Sequence, residues 1–304
     1  MKILLLGRGG QVGWELQRSL AVLGDLVALD FDAAANPDGL CGDFSDLQGL
    51  ADTVRRVAPD VIVNAAAHTA VDKAEGEPAL ARMLNAQAPA VLATEAQKLG
   101  AWLLHYSTDY VFDGSGIQAW RETDATGPLS VYGQTKLEGE QAVATCAKHL
   151  ILRTSWVYAA RGGNFAKTML RLASEREALS VINDQFGAPT SAELLADVTA
   201  HALLAAIAQP GLAGLYHCVA AGETTWHAYA SYVLEQALAL GWQLKAGPAQ
   251  VAAVATSSYP TPARRPLNSR LDTSKLQAAF GLRLPHWQVH AKRMLEEITP
   301  TNTP

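Results

Sequence analysis

Hydrophobic positions along the chain form short runs that alternate with helical stretches. Ile3 to Leu6 is an apolar run ending at Gly7-Arg8-Gly9-Gly10, and Val12, Leu16, Leu20 and Leu23 then recur at helical spacing. The next run, Leu26 to Leu29, ends in Asp30, after which Pro37, Asp38 and Gly39 mark a loop and Leu47 to Val57 resumes helical periodicity. Val61-Ile62-Val63-Asn64 predicts a buried strand, Pro78 to Leu99 a long helix, and Trp102 to Tyr106 a strand that ends at Ser107-Thr108-Asp109. A helix from about Tyr132 and a strand at Leu150-Ile151-Leu152 continue the rhythm. Strands and helices alternating at this spacing predict βαβ units and an α/β fold with a doubly wound, mainly parallel sheet, whose ligands bind beyond the carboxyl ends of the strands.

After about Trp156 the pattern becomes helix-rich, with short apolar runs at Ser180 to Ile182, Leu215 to Val219 and Val251 to Ala255. The expected division is a dinucleotide-binding domain over residues 1–155, with later segments free to return to it, and a smaller, mainly substrate-binding C-terminal lobe over 156–304. Tyr259 to Arg270 is too proline-broken for a helix and predicts a loop, with Asp272 capping the helix that follows.

Gly7, Gly10 and Gly13 stand in G-x-x-G-x-x-G spacing between the first strand and helix, the Rossmann-type context for a dinucleotide. A tight turn needs positive φ, the pyrophosphate needs bare backbone, and the helix N-terminus supplies amides and partial positive charge. Asp30, ending the second strand, is placed to bind ribose hydroxyls and disfavours a 2′-phosphate, while Arg8 is a compensating cation, so NADH and NADPH both stay open. Asp43-Phe44 either reaches the adenine edge or caps the helix at Leu47.

Tyr132 and Lys136 are four residues apart, on one face of their helix. A carbonyl accepting hydride needs a proton; a free phenol, with a pKa of about 10, is a reluctant donor, and an adjacent ammonium lowers that value. The pair is weak by itself. Thr108, at the end of the preceding strand, adds a hydroxyl that can bond the same carbonyl oxygen.

With these motifs the sequence resembles the dTDP-4-dehydrorhamnose reductase family within the extended short-chain dehydrogenase superfamily. The resemblance runs through Gly7 to Gly13 with Gln11-Val12, Asn64 to Asp72, Ser107 to Gly114, Tyr132 to Lys136 and Pro262-Ala263-Arg264-Arg265-Pro266. It implies that Gly10, Gln11, Val12, Asp30, Asp43, Phe44, Ala67, His68, Thr69, Tyr106, Tyr132 and Lys136 contact the dinucleotide. It also implies that Thr108, Asp109 and Trp156 face the sugar nucleotide, with Tyr132 as proton donor, Lys136 as its modulator and Thr108 as hydrogen-bond partner. Arg264 and Arg265 either hold the substrate diphosphate or solvate a loop, and binding is preferred. Glu15, Glu193 and Glu297 match positions that hold Mg²⁺ at a dimer contact in some family members, so a homodimer is a further expectation. The implied reaction is reduction of the C4 ketone of a dTDP-linked 4-keto-6-deoxy sugar, dTDP-4-dehydro-L-rhamnose, by NADPH or NADH. Sugar dehydratases resemble Thr-Asp-Glu where this chain has Thr108-Asp109-Tyr110, and a tyrosine cannot serve as their eliminating base. A 4-epimerase and a non-catalytic dinucleotide-binding regulatory subunit are the rival readings.

Composition narrows the rest. Of 304 residues 17% are charged, and a net charge of -5 without a basic stripe argues against nucleic acid. The apolar stretches near Leu150 and Leu203 are broken before the roughly 20 positions a membrane span needs, and Lys2 to Leu6 is too short for a secretory signal. Cys41, Cys146 and Cys218 form no C-x-x-C pair, which suggests a reducing cytoplasm. His286 and His290 lack a zinc-hydrolase context and are expected to be structural.

Overall fold

In the computed structural model, which describes residues 1–299, the predicted alternation builds a six-stranded parallel sheet. Strands β1 (Lys2–Leu6), β2 (Asp25–Leu29), β3 (Val61–Asn64), β4 (Trp102–Thr108) and β5 (His149–Thr154) are joined by Gly214–His217, in the order Gly214–His217, β5, β4, β3, β1, β2. The order reverses between β1 and β3, and a crevice opens beyond the carboxyl ends of strands at such a switch point.

The continuous apolar strands are covered on both faces, as parallel sheets are. Every residue of β3 and β4 is buried. Alternation within β1 divides the core: Ile3 and Leu5 pack with Leu16 and Leu20 of α1 (Gln11–Ala21), and Leu4 and Leu6 with Leu50 and Val54 of α2 (Leu47–Val57). Burying each such leucine contributes roughly 1.5–3 kcal/mol.

Three local readings differ. The helix expected over Pro78 to Leu99 follows the short α3 (Val71–Gly76) and divides into α4 (Pro78–Arg82), a π-turn at Met83–Gln87 and α5 (Ala88–Leu99). Pro89 has no N–H to give the Asn85 carbonyl, and Gly139 of α6 (Val131–Val143) packs so tightly on that carbonyl that any side chain there would overlap it. The helix at Leu47 is capped by Asp46, which accepts the Gly49 N–H at 2.9 Å, and not by Asp43. Asp272 lies one residue before the N-cap Thr273 and accepts the Ser274 N–H at 2.8 Å.

Residues beyond 156 contribute to both parts of the molecule. Gly214–His217 extends the main sheet, and the helix Ala192–Ala208 lies against α1, where Ser19 Oγ donates to Asp197 Oδ1 at 3.1 Å. The remaining short strands pair among themselves, Leu179–Ile182 with Val251–Val254 in parallel. Tyr259 to Arg270 runs as irregular chain with a single bridge from Asn268 to Phe186.

Candidate functional site

Two hollows of about 540 and about 740 Å³ meet beyond β1 and β3, sharing Gly10 and the backbone of Ala65, Ala66 and Ala67. Together they form one long groove across the N-terminus of α1. Gly7 has φ +84°, and a Cβ there would stand 2.7 Å from the Ala66 nitrogen; a Cβ on Gly13 would overlap the Gly7 carbonyl oxygen. The first glycine therefore makes the turn and the third brings the helix onto it. A Cβ on Gly10 would make only an ordinary contact, 3.5 Å from the Gly7 carbonyl oxygen, and Gly10 caps α1 without a side chain, which leaves the first helical amides facing the groove. This cradle fits a pyrophosphate.

The larger hollow is walled by Gly7, Asp30, Phe31, Asp43 and Phe44, with Ala67 at the junction. Asp30 accepts the Phe31 N–H at 2.8 Å and lies against Gly9. Arg8 is committed to backbone: its guanidinium donates to the carbonyls of Ala28 at 3.4 Å and Ala35 at 2.5 Å.

The smaller hollow holds the reactive side chains. Gln11, Val12, Thr69, Tyr106, Thr108, Asp109, Tyr132, Lys136 and Trp156 all line it. Ser130 caps α6 by accepting the Gly133 N–H at 3.2 Å, so Tyr132 stands in the first turn and Lys136 one turn below it. Lys136 is 2% exposed and donates to the Tyr106 carbonyl at 2.6 Å. Burial lowers its ammonium to about 8, against the upward pull of Glu140. Burial pushes the Tyr132 phenol up to about 12, with the Thr108 hydroxyl pulling it down and Asp109 raising it. Lys136 therefore does not draw the phenol below its ordinary range in this structure, contrary to expectation, because removal of both groups from water dominates.

Thr108 donates to Asp109 Oδ1 at 3.0 Å and accepts the Tyr110 N–H at 3.2 Å. Asp109 is 1% exposed, and burial raises its carboxyl to about 6, opposed by the nearby hydroxyls of Ser269 and Thr108. Asp109 Oδ2, Ser107 Oγ and Thr154 Oγ1 are buried without protein partners on this floor, which marks it as built for a polar occupant. Trp156 closes the hollow with φ +49°, a conformation few bulky residues adopt. Trp226 stacks on it at 3.6 Å between ring centroids, and Gly187 leaves no room for a side chain beneath it.

The sequence profile described as RmlD substrate binding domain matches residues 1–299. The chain belongs to that family. It is 62% identical to the dTDP-4-dehydrorhamnose reductase of Shigella flexneri over 302 residues, covering 99% of each chain. Among solved structures it is similar to a dTDP-4-dehydrorhamnose reductase from Clostridium acetobutylicum, with a TM-score of 0.87 and 34% identity over 98% of this chain and 99% of that one. It is also similar to the dTDP-4-dehydrorhamnose reductase of Bacillus anthracis in complex with NADP, with a TM-score of 0.85 and 32% identity over 97% and 99%.

Within this RmlD-type chain some expected residues lie elsewhere. His68 is not among the groove-lining residues; its Nε2 lies 3.4 Å from Glu77 Oε2 and its backbone N–H is held by Asn85 Oδ1 at 2.8 Å. Arg265 is no free diphosphate clamp: it makes a two-pronged pair with Asp72, at 3.0 and 2.7 Å, and Arg264 is exposed outside the groove lining. Glu15, Glu193 and Glu297 share an electrostatic neighbourhood, since burial and the charges of Glu193, Glu297 and Asp197 raise the Glu15 carboxyl. Arg293 nevertheless takes Glu193 at 3.3 Å, and among the described residues no group of three His, Cys, Asp or Glu is arranged for a metal ion. His290 Nδ1 lies 2.7 Å from Ser191 Oγ, a structural bond.

Sequence reasoning missed Trp226, His105, Asn64 and Asn85. Asn85, buried in a helix, holds the His68 carbonyl at 3.1 Å and Thr135 Oγ1 at 3.1 Å, tying the loop after β3 to α6. For Asn64, Asn85 and His105 the one signal available was a polar residue between apolar or aromatic neighbours; Trp226 carried none.

Proposed function

We propose that this chain reduces the C4 ketone of dTDP-4-dehydro-L-rhamnose to dTDP-L-rhamnose with NADPH or NADH. The observation that carries the reading is the convergence of Tyr132, Lys136 and Thr108 on one buried floor at the end of the groove that begins at Gly7. When bound, the dinucleotide supplies hydride from its nicotinamide, and Gly10, Gln11 and Val12 would receive its pyrophosphate. Asp30, Asp43 and Phe44 would hold its adenosine end. Thr108 bonds the ketone oxygen and Tyr132 gives it the proton; the phenol, neutral throughout the physiological range, always has one to give. Lys136 anchors the nicotinamide ribose and supports the charge left on Tyr132. Asp109 and Trp156 orient the sugar.

Tyr110, edge-on to Tyr132 with ring centroids 5.5 Å apart, occupies the place of a dehydratase base and carries no carboxylate. We place the reaction in the cytoplasm, in keeping with Cys41, Cys146 and Cys218 all being free. Among the described residues no helix is long and apolar enough to cross a membrane. The test is absorbance at the reduced-nicotinamide band with purified protein, NADPH or NADH and the dTDP-linked 4-keto sugar. Stoichiometric oxidation with a dTDP-rhamnose product is expected. Binding without oxidation would instead identify a regulatory subunit, and sugar interconversion without net oxidation an epimerase.

A further inference from the structure

Lys136 rests on a buried histidine that the reaction scheme above does not use. His105, in the middle of β4 and 1% exposed, has Nε2 3.2 Å from Lys136 Nζ and Nδ1 3.0 Å from Asn64 Nδ2. The Asn64 amide is itself oriented, because its Oδ1 accepts the Ala66 N–H at 3.0 Å and this turns the Nδ2 donor toward the ring. A donor facing Nδ1 requires a lone pair there, and a neutral imidazole has one lone pair and one N–H. Burial and the neighbouring Lys136 charge keep the ring neutral, its pKa well below the usual value. The histidine proton is therefore on Nε2, aimed at Lys136.

An ammonium carries three donors and no acceptor, so it meets that N–H donor against donor. A neutral amine offers the N–H a lone pair and still donates to the Tyr106 carbonyl. The surroundings thus satisfy the amine and penalise the ammonium, in a buried setting where such a mismatch is costly.

We infer that Asn64 and His105 form a tautomer lock that sets the protonation of Lys136, and that His105 is a positioning residue for the acid-base pair. The inference rests on the roles proposed for Tyr132 and Lys136. When the sugar alkoxide takes the phenolic proton, the Tyr132 O–H bond breaks and the new sugar O–H forms. A Lys136 N–H then breaks to restore the phenol, and the electron pair left on Nζ accepts the His105 Nε2–H. Solvent returns the proton to Lys136 after product leaves. The other charged group acting on Lys136 is Glu140, one turn further along its own helix, which is tied to Arg153 of β5 by two bonds of 2.8 and 2.7 Å; Tyr132 stands one turn before Lys136 on that helix. Glu140 favours the ammonium, so the lock works with burial against it.

Histidine ¹⁵N NMR on the nucleotide-free protein reads the tautomer, and ¹³Cε-labelled lysine reads the Lys136 titration. The expected wild-type result is an Nε2–H tautomer from pH 6 to 9 and a lysine titrating far below the free value. Asn64→Asp presents only acceptors, so it should switch His105 to Nδ1–H and raise the Lys136 titration by about one unit or more. The basic limb of the kcat–pH profile should move upward with it. His105→Phe, which removes the N–H while keeping bulk, should also raise the titration. An Nδ1–H tautomer in the wild type, or an unmoved lysine in both variants, overturns the lock. Normal turnover with the wrong tautomer would leave the reductase reading intact, and the expected tautomer without turnover would sink that reading and leave the lock standing.

Discussion

The two ends of the groove are built on opposite principles. At the β1–β2 end the chain makes a binding surface by leaving side chains out: Gly7, Gly10 and Gly13 expose backbone, and the charged residues Asp30 and Asp43 remain in contact with water. At the β4–α6 end it does the reverse. Asp109, Lys136, His105, Glu140 and Arg153 are all buried, and the first three carry strongly shifted ionisation. An open end binds through shape and helix amides, whereas a dry end strengthens each charge and each hydrogen bond while making every unmatched one expensive. Substitutions at the dry end should therefore act on rate, stability and pH response, and those at the open end on affinity alone.

The largest effect expected from that contrast is at Tyr132. Tyr132→Phe keeps the ring and its edge contact with Tyr110 but removes the acid, so kcat should fall by about 10²–10⁴-fold, the usual loss for an acid-base group. Fluorescence titration should show the dinucleotide binding as before. Turnover within a factor of a few of wild type would end the assignment.

Next comes the buried pair beneath Lys136. Glu140→Gln leaves the Arg153 guanidinium uncompensated at 4% exposure, next to an Nη1 that already lacks a partner, and should destabilise the fold by about 3–5 kcal/mol. Glu138→Gln, two residues earlier on the same helix, breaks an exposed pair with Arg82 and should barely move the urea midpoint. Equal losses in the two variants would erase the distinction between dry and wet charges.

A third test concerns Asp109. Burial holds its carboxyl at about 6 in the folded chain, above its ordinary 3.8, so the native state keeps a proton that the unfolded state releases. Stability should consequently fall as pH rises from about 4 through 6, by about 3 kcal/mol for a shift of roughly two units, and recover below that window. Urea unfolding of wild type and Asp109→Asn at pH 4.5 and 7 measures it. The variant should lose that part of the slope; parallel slopes would mean the carboxyl is not held protonated.

The same contrast explains how much could be read from the sequence. The alternation of strands and helices in a parallel sheet, the glycine turn and the placement of Tyr132, Lys136 and Thr108 in one hollow follow from local patterns: apolar runs, glycine spacing and an i,i+4 pair. The bonds that set ionisation do not, because Asn64, His105 and Lys136 meet only through the register of neighbouring strands and a helix packed across them. Arg265 shows the limit from the other side. Its charge suggested an anion, yet it lies 193 positions from Asp72, the carboxylate that claims it, a distance no local pattern spans.

The smallest effect is expected at the open end and concerns the choice between NADH and NADPH. The Asp30 carboxylate lies against the glycine loop at the mouth of the larger hollow, where an adenosine ribose would arrive. Arg8, the cation that could offset it, spends its guanidinium on the carbonyls of Ala28 and Ala35. A 2′-phosphate should thus meet the Asp30 carboxylate, with the Arg8 guanidinium N–H groups turned to the Ala28 and Ala35 carbonyls. Asp30→Asn removes that charge while keeping the shape, and should improve NADPH binding relative to NADH by about tenfold, or about 1.4 kcal/mol. Because Asp30 is only half-buried, the difference should shrink as ionic strength rises toward about 1 M, where screening acts within about 3 Å. The Lys136 titration, set by buried neighbours at 2% exposure, should respond far less to the same salt. If the Asp30 effect proved insensitive to salt while the lysine shifted, the division between an open binding end and a dry reacting end would have to be drawn the other way round.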